Sequence, residues 1–161
     1  MLAMTLALTL TANMARADDF DDARAAYYDG DYATAFKLIK PLAEQGDAEA
    51  QYALGLMYAK GEGVIENDKK AVKWFRLAAE QGDAEAQNNL GTMYHNGEGV
   101  LQDNKKAHMW YNIARANGEK EHAADNIERL TGGIFSRMAP ADISEAQDMA
   151  ERCLASNYQD C

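Results

Sequence analysis

Residues 43–78 and 79–114 are one unit written twice, without a gap, at a period of 36. The copies read AEQGDAEAQYALGLMYAKGEGVIENDKKAVKWFRLA and AEQGDAEAQNNLGTMYHNGEGVLQDNKKAHMWYNIA, and 22 of 36 positions are identical. A repeat of this length points to a solenoid, whose units cannot bury their apolar faces alone and do so by stacking. Such stacks present extended surfaces, which moves the expected function from catalysis toward binding.

Each unit reads as two antiparallel helices. Asp47 and Asp83 stand where an acidic side chain can cap the next helix, just after Gly46 and Gly82, which can end the preceding one. Helix A then spans roughly 48–60 and 84–96, with Ala50, Leu54, Met57 and Tyr58 recurring as Ala86, Leu90, Met93 and Tyr94 at helical spacing. The loops GEGVIEND and GEGVLQDN follow, with Gly61 and Gly63, then Gly97 and Gly99, free to take unusual dihedrals. Val64 and Val100 read as apolar plugs. Asn67 or Asp68, and Asp103 or Asn104, are candidate caps for helix B, over roughly 68–81 and 104–117. Its apolar face is Ala71, Trp74, Phe75 and Ala78, repeated as Ala107, Trp110, Tyr111 and Ala114.

Gly55 and Gly91 sit in mid-helix, where glycine costs about 1 kcal/mol relative to alanine. That cost is tolerable where a neighbouring helix crosses closely. Trp74 and Trp110 are then expected to fill the larger gaps.

The string A-x-A-Q-x-x-L-G-x-x-Y-x-x-G-x-G-V, followed by D or N, K-A, W, A and G, resembles the Sel1-like repeat of the tetratricopeptide-like proteins. The resemblance covers residues 43–114. It implies a right-handed, all-α solenoid of antiparallel helix pairs. It also implies a concave surface lined by the A helices and a role in protein–protein interaction; the residues themselves carry no catalytic or cofactor pattern, so neither enzymatic activity nor a cofactor is expected.

The pattern extends weakly in both directions. Ala35, Leu38, Ile39 and Ala43 precede Ala71, Trp74, Phe75 and Ala79 by one period, so 32–45 is expected to be a B-type helix and 19–28 the A-type helix before it. Residues 18–42 thus form a degenerate first pair, with Pro41 expected to kink its second helix or expose a carbonyl. After Gly118 a helix over 120–130 is expected to stop at Gly132-Gly133, and Pro140 to open a last helix to Ala155. Residues 115–161 thus read as a capping region.

Residues 1–17, MLAMTLALTLTANMARA, have the apolar run and small-x-small end of a signal peptide, without a basic n-region. Cleavage near Ala17 would leave a repeat domain over 18–161 in the periplasm or secreted. In an exported protein Cys153 and Cys161, eight residues apart, read as one disulfide. A redox or metal pair is the alternative, unsupported by a C-x-x-C motif or a nearby histidine. Loss of residues 1–17 removes one arginine and no acid, so the net charge moves from −10 to −11. That sign disfavours nucleic acid and anionic lipid.

Catalytic and metal patterns are absent. Ser136, Ser144 and Ser156 sit in neither G-x-S-x-G nor S-x-x-K, and His95, His108 and His122 lack metal-site spacing. His108 reads as exposed, and His95 as either a solvent-facing helix end or part of a binding face. The acidic runs near residues 18–22 and 29–31 lack calcium-loop spacing and read as caps.

Positions that differ between the copies are candidates for the surface. On helix A, Tyr52, Leu56, Asn88, Asn89, Thr92 and His95 fall at spacings that put several of them on one face. With the resemblance, they are the candidate partner-binding groove. Asparagine donates and accepts hydrogen bonds, which suits a peptide backbone and a glycan equally. The function expected is that of a periplasmic adaptor or scaffold binding another protein. The alternative is a cell-wall-related penicillin- or peptidoglycan-binding, β-lactamase-like protein, a role the resemblance brings from cysteine-rich members whose repeat cysteines this chain lacks.

Overall fold

The computed structural model of the chain describes residues 20–119, 121–131 and 138–161. The expected leader at 1–17 and the expected stop at Gly132-Gly133 lie outside the described residues, as does Ser136. Among the described residues there are eight helices and no strand. They are α1 (20–28), α2 (Tyr32–Glu44), α3 (Ala48–Lys60), α4 (Asp68–Ala79), α5 (Ala84–Asn96), α6 (Asn104–Ala116), α7 (Glu121–Thr131) and α8 (Pro140–Ala155). Both A helices of the repeat, α3 and α5, have the expected bounds.

The caps account for the boundaries. Asp47 Oδ1 accepts from the Ala50 N–H at 2.9 Å, and Asp83 Oδ1 from the Ala86 N–H at 2.7 Å. Asn67 and Asp103, rather than Asp68 and Asn104, cap α4 and α6. Gly61 and Gly97 close α3 and α5 in the left-handed conformation, at φ +69° and +77°. The B helices stop earlier than expected, at Ala79 and Ala116. In the first, the last turn tightens: Gln81 and Gly82 N–H donate to Ala78 and Ala79 carbonyls, each at 3.0 Å. α2 runs unbroken past Pro41 to Glu44.

The second glycine of each GEG loop has a different task. A Cβ on Gly63 would lie 2.1 Å from the Tyr32 carbonyl oxygen, and one on Gly99 2.5 Å from the Asp68 carbonyl carbon. Each loop therefore lies directly on the first turn of the preceding B helix, backbone against backbone. Val64 and Val100, partly buried, pack from there against the core.

The mid-helix glycines receive an aromatic ring, and the ring is not the expected tryptophan. A Cβ on Gly55 would stand 2.6 Å from Phe75 Cδ1, and one on Gly91 2.6 Å from Tyr111 Cε1. Trp110 is buried elsewhere in the core, while Trp74 is only half-buried and carries Lys73 Nζ 5.4 Å from its ring centre. Tryptophan and its neighbour are one residue apart, a rotation of roughly 100° on the helix, and the closer-pointing ring wins.

The C-terminal end departs from the repeat. α8 packs on α6, and Lys105 Nζ reaches Glu145 Oε2 at 3.0 Å and Asp142 Oδ1 at 3.6 Å. With α8 on its outer side, α6 is buried almost all round, including Met109 where the first copy has exposed Lys73. His108 is buried too, at 1% exposure, contrary to the expectation that it faces solvent. It occupies the position of core Val72. Asn112 Nδ2 donates to His108 Nδ1 at 2.7 Å, which leaves the neutral ring's proton on Nε2, buried without a partner among the described residues.

Burial first, and Arg115 second, lower the His108 pKa below its ordinary 6.5. A histidine depressed in the folded state binds its proton more readily when unfolded. The stability it allows is therefore complete above pH 6.5 and falls as pH drops from there to the folded pKa. Melting curves at pH 7.5 and 5.5 are expected to show a larger loss for the wild type than for His108→Val, which restores the first copy's residue. Equal losses would mean that His108 does not titrate differently on folding.

Cys153 and Cys161 are disulfide-bonded, with Cα atoms 4.9 Å apart. The bond turns the tail back through Asn157 and Tyr158, both at positive φ. Tyr158 OH then accepts from Asn117 Nδ2 at 2.7 Å and lies over Gly82. In the chain-entropy picture, closing so short a loop contributes about 2–3 kcal/mol.

Candidate functional site

Two clefts open on the A-helix face. The first lies between α1 and α3, has a volume of about 190 Å³, and is walled by Phe20, Arg24, Tyr27, Tyr28, Ile39, Glu49, Tyr52, Ala53, Leu56 and Met57. The second lies between α3 and α5, has a volume of about 330 Å³, and includes Leu56, Lys60, Glu66, Asp68, Asn89, Thr92 and Glu98. Leu56 belongs to both, so the clefts adjoin across the outer side of α3.

Four of the six expected groove residues come together here. Tyr52 and Leu56 line the first cleft; Leu56, Asn89 and Thr92 line the second. Asn89 Nδ2 donates to Tyr52 OH at 3.5 Å, so the two helices are joined across the face. Thr92 Oγ1 accepts from Tyr111 OH at 3.2 Å, which fixes it from beneath.

Asn88 and His95 line neither cleft. Asn88 Oδ1 accepts from Asn126 Nδ2 of α7 at 3.0 Å. His95 is 8% exposed, so the expected solvent-facing helix end is corrected: its Nδ1 sits 3.1 Å from Asn104 Oδ1, and its carbonyl accepts from Gln102 Nε2 at 2.6 Å. Asn88 thus ties α5 to α7, and His95 ties it to α6 and the loop before α6.

Burial first, and Glu62 second, raise the Tyr27 pKa to about 12, and its hydroxyl donates to Glu62 Oε2 at 2.6 Å. Burial first, and Glu85 second, also push Tyr52 well up. Both phenols are neutral hydrogen-bonding groups at any physiological pH. No helix among the described residues is long and apolar enough to cross a membrane.

Two sets of residues escaped the sequence reading. The first is the α1 contribution, Phe20, Arg24, Tyr27 and Tyr28, which has no second full copy to be compared with. The second is a polar ladder. Gln51 Nε2 donates to the Ala43 carbonyl and Gln87 Nε2 to the Ala79 carbonyl, at 3.2 and 2.9 Å. Their oxygens accept from Gln81 Nε2 at 2.8 Å and Asn117 Nδ2 at 2.9 Å. Each glutamine thus links one B-helix end to the next and satisfies polar atoms that packing would otherwise bury unpaired. The signal was present: Gln51 and Gln87 are identical between copies despite lying among apolar positions.

Comparison with known proteins agrees with this architecture. The Sel1 repeat model matches residues 22–47, 48–83 and 84–119, each of the last two units starting on an A helix. The degenerate first pair is thus a repeat in its own right. A Sel1 repeat protein from Oxalobacter formigenes is 31% identical, with a TM-score of 0.68 over 98% of this chain and 67% of that one. A protective antigen of uropathogenic Escherichia coli with an SLR fold is 22% identical, with a TM-score of 0.80 over 89% of this chain. This chain spans only 31% of that antigen's length. Cysteine rich protein B of Helicobacter pylori is 22% identical, with a TM-score of 0.54 over 56% of this chain and 68% of that one. No curated protein matches. With three matched units covering residues 22–119, this chain belongs to the Sel1 repeat family, built as an all-α repeat solenoid.

Proposed function

We propose that this chain is a non-catalytic interaction module that holds a segment of a partner protein on its A-helix face, in the bacterial periplasm after loss of residues 1–17. The observation that carries the reading is the pair of adjoining clefts sharing Leu56. Their walls are half-buried, polar and apolar side chains held in place by bonds from beneath, as interface anchors are. Membership of a repeat family whose stacks commonly serve protein interaction supports it. The disulfide supports export, because such bonds persist in oxidising compartments.

The test is crosslinking of the tagged protein in cells, with partners identified by mass spectrometry and the wild type compared with Leu56→Arg. A partner retained by the wild type and lost from a Leu56→Arg variant of unchanged melting temperature is the expected result. A partner set that is identical in the two would remove the A-helix face from the reading. On the same material, alkylation without reductant is expected to find no free thiol, and the intact mass to lack residues 1–17. Two free thiols would contradict export.

A further inference from the structure

We infer that the A-helix face reads an extended peptide through two unlike subsites: a bulky apolar side chain between α1 and α3, and a lysine or arginine between α3 and α5. The inference rests on the interaction reading above and names the chemistry of its partner.

The first subsite is apolar and small. Its walls include Phe20, Tyr27, Tyr52, Leu56 and Met57, and Tyr28 stands at its rim 80% exposed. Pockets that bury a whole small molecule run from roughly 300 to 1,000 Å³. A cleft of about 190 Å³ falls below that and fits one side chain of a longer ligand. The aromatic walls favour a large apolar or aromatic anchor.

The second subsite is acidic. Glu66, Asp68 and Glu98 line it against the single Lys60. No ion pair among the described residues engages any of these three carboxylates. Lys60 leans away toward the first cleft, with Nζ 3.5 Å from Tyr27 OH. The C-terminal ends of α3 and α5, where Lys60 and Asn96 lie, bring two negative helix poles against the one positive pole of the α4 N-terminus at Asp68. A chain of net charge −10 strengthens the same preference and repels an acidic ligand.

The spacing follows from the shared wall. Packed helices stand roughly 8–10 Å apart, so neighbouring clefts are separated by about that distance. A chain in the polyproline II conformation, with three residues per turn and a rise of about 3.1 Å, covers it in one turn and brings the two side chains to the same face. The recognised pattern is therefore an apolar anchor and a basic residue three positions apart, in either chain direction.

Fluorescence anisotropy with labelled peptides tests this. The probes are Gly-Ser-flanked peptides containing Trp-Ser-Ser-Arg or Arg-Ser-Ser-Trp, with controls that replace Trp by Ser or Arg by Glu. One probe is expected to bind. Loss of Trp should weaken it more than tenfold, and Arg replaced by Glu about tenfold at 50 mM salt, the latter gap narrowing at 500 mM as salt screens the charges. Tyr28→Ala should weaken the Trp peptide without shifting the melting temperature. Glu66→Lys/Glu98→Lys should reverse the preference for Arg over Glu. Equal binding of the Arg and Glu peptides, or of the Trp and Ser peptides, overturns the inference, as does no binding by any probe up to 1 mM. If a cellular partner is still lost on Leu56→Arg, the face remains the binding surface and only its assigned chemistry fails. If Leu56→Arg changes neither partner nor peptide, the wider reading fails as well.

Discussion

Gly63→Ala is expected to destabilise the fold by about 3–5 kcal/mol, the largest effect of a methyl added at any described glycine. Two costs combine. Gly63 sits at φ +71°, where a side chain costs roughly 1–2 kcal/mol. The new Cβ would also lie 2.1 Å from the Tyr32 carbonyl oxygen and 2.6 Å from its carbonyl carbon. Those atoms belong to the first turn of α2 and cannot rotate away as a side chain would. The loop must lift, and with it Val64 leaves the core and Glu62 its bond to Tyr27. Gly46→Ala is the control, since it carries φ +95° with nothing within 4 Å of the added atom. It should show the backbone strain alone. Denaturant titration of the two variants separates the terms: a Gly63→Ala loss no greater than that of Gly46→Ala would mean that loop and helix do not touch. Because the loop bears on the cleft between α1 and α3, peptide binding should weaken in step with stability for Gly63→Ala and remain unaltered for Gly46→Ala.

What the sequence made legible is what repetition amplifies. Asp47 with Asp83, Leu54 with Leu90, Tyr58 with Tyr94 and Gly61 with Gly97 are each seen twice at one period, so their caps, core positions and helix stops could be read directly. The companion rule, that differing positions face solvent, held at Asn89 and Thr92, which line a cleft, and failed at His95 of α5 and on α6. His108 differs from Val72 at a position buried in both copies, while Met109 is buried where Lys73 is exposed, on a helix that α8 covers. α8 lies outside the period, so no comparison of the two copies could announce where it docks. The choice between Trp74 and Phe75 at Gly55 was hidden for another reason. Both are aromatic and adjacent, and pattern alone cannot tell which ring points at a given gap. The α1 half of the first cleft was hidden because 20–28 have no full copy, though the clustering of Phe20, Tyr27 and Tyr28 was there to be seen.

Gly91→Val is expected to cost about 2–4 kcal/mol through overpacking and lower helix propensity. At roughly 2–4 °C per kcal/mol for a chain of this size, the melting temperature should fall by about 5–15 °C. The first β-carbon alone would lie 2.6 Å from Tyr111 Cε1, 2.7 Å from Cδ1 and 3.1 Å from the Ala107 carbonyl oxygen. At the equivalent Gly55 the three nearest atoms all belong to the Phe75 ring, and no backbone atom is among them. A ring can give way where a backbone carbonyl cannot, so the same substitution should cost more at Gly91 than at Gly55. The comparison extends to rescue. Phe75→Leu in a Gly55→Val background should recover most of the loss, since the valine fills the space the ring vacates. Tyr111→Leu in a Gly91→Val background should recover less, because the Ala107 carbonyl is still in place. It also removes the hydroxyl that donates to Thr92, a residue of the cleft between α3 and α5. Stability and binding therefore part company at Gly91, whose pair should regain some stability while peptide affinity stays low; the Gly55 pair, whose Phe75 also lines that cleft, is compared for stability alone. An unchanged melting temperature for Gly91→Val would show that no ring packs on that glycine, and the link from core to cleft through Tyr111 would go with it.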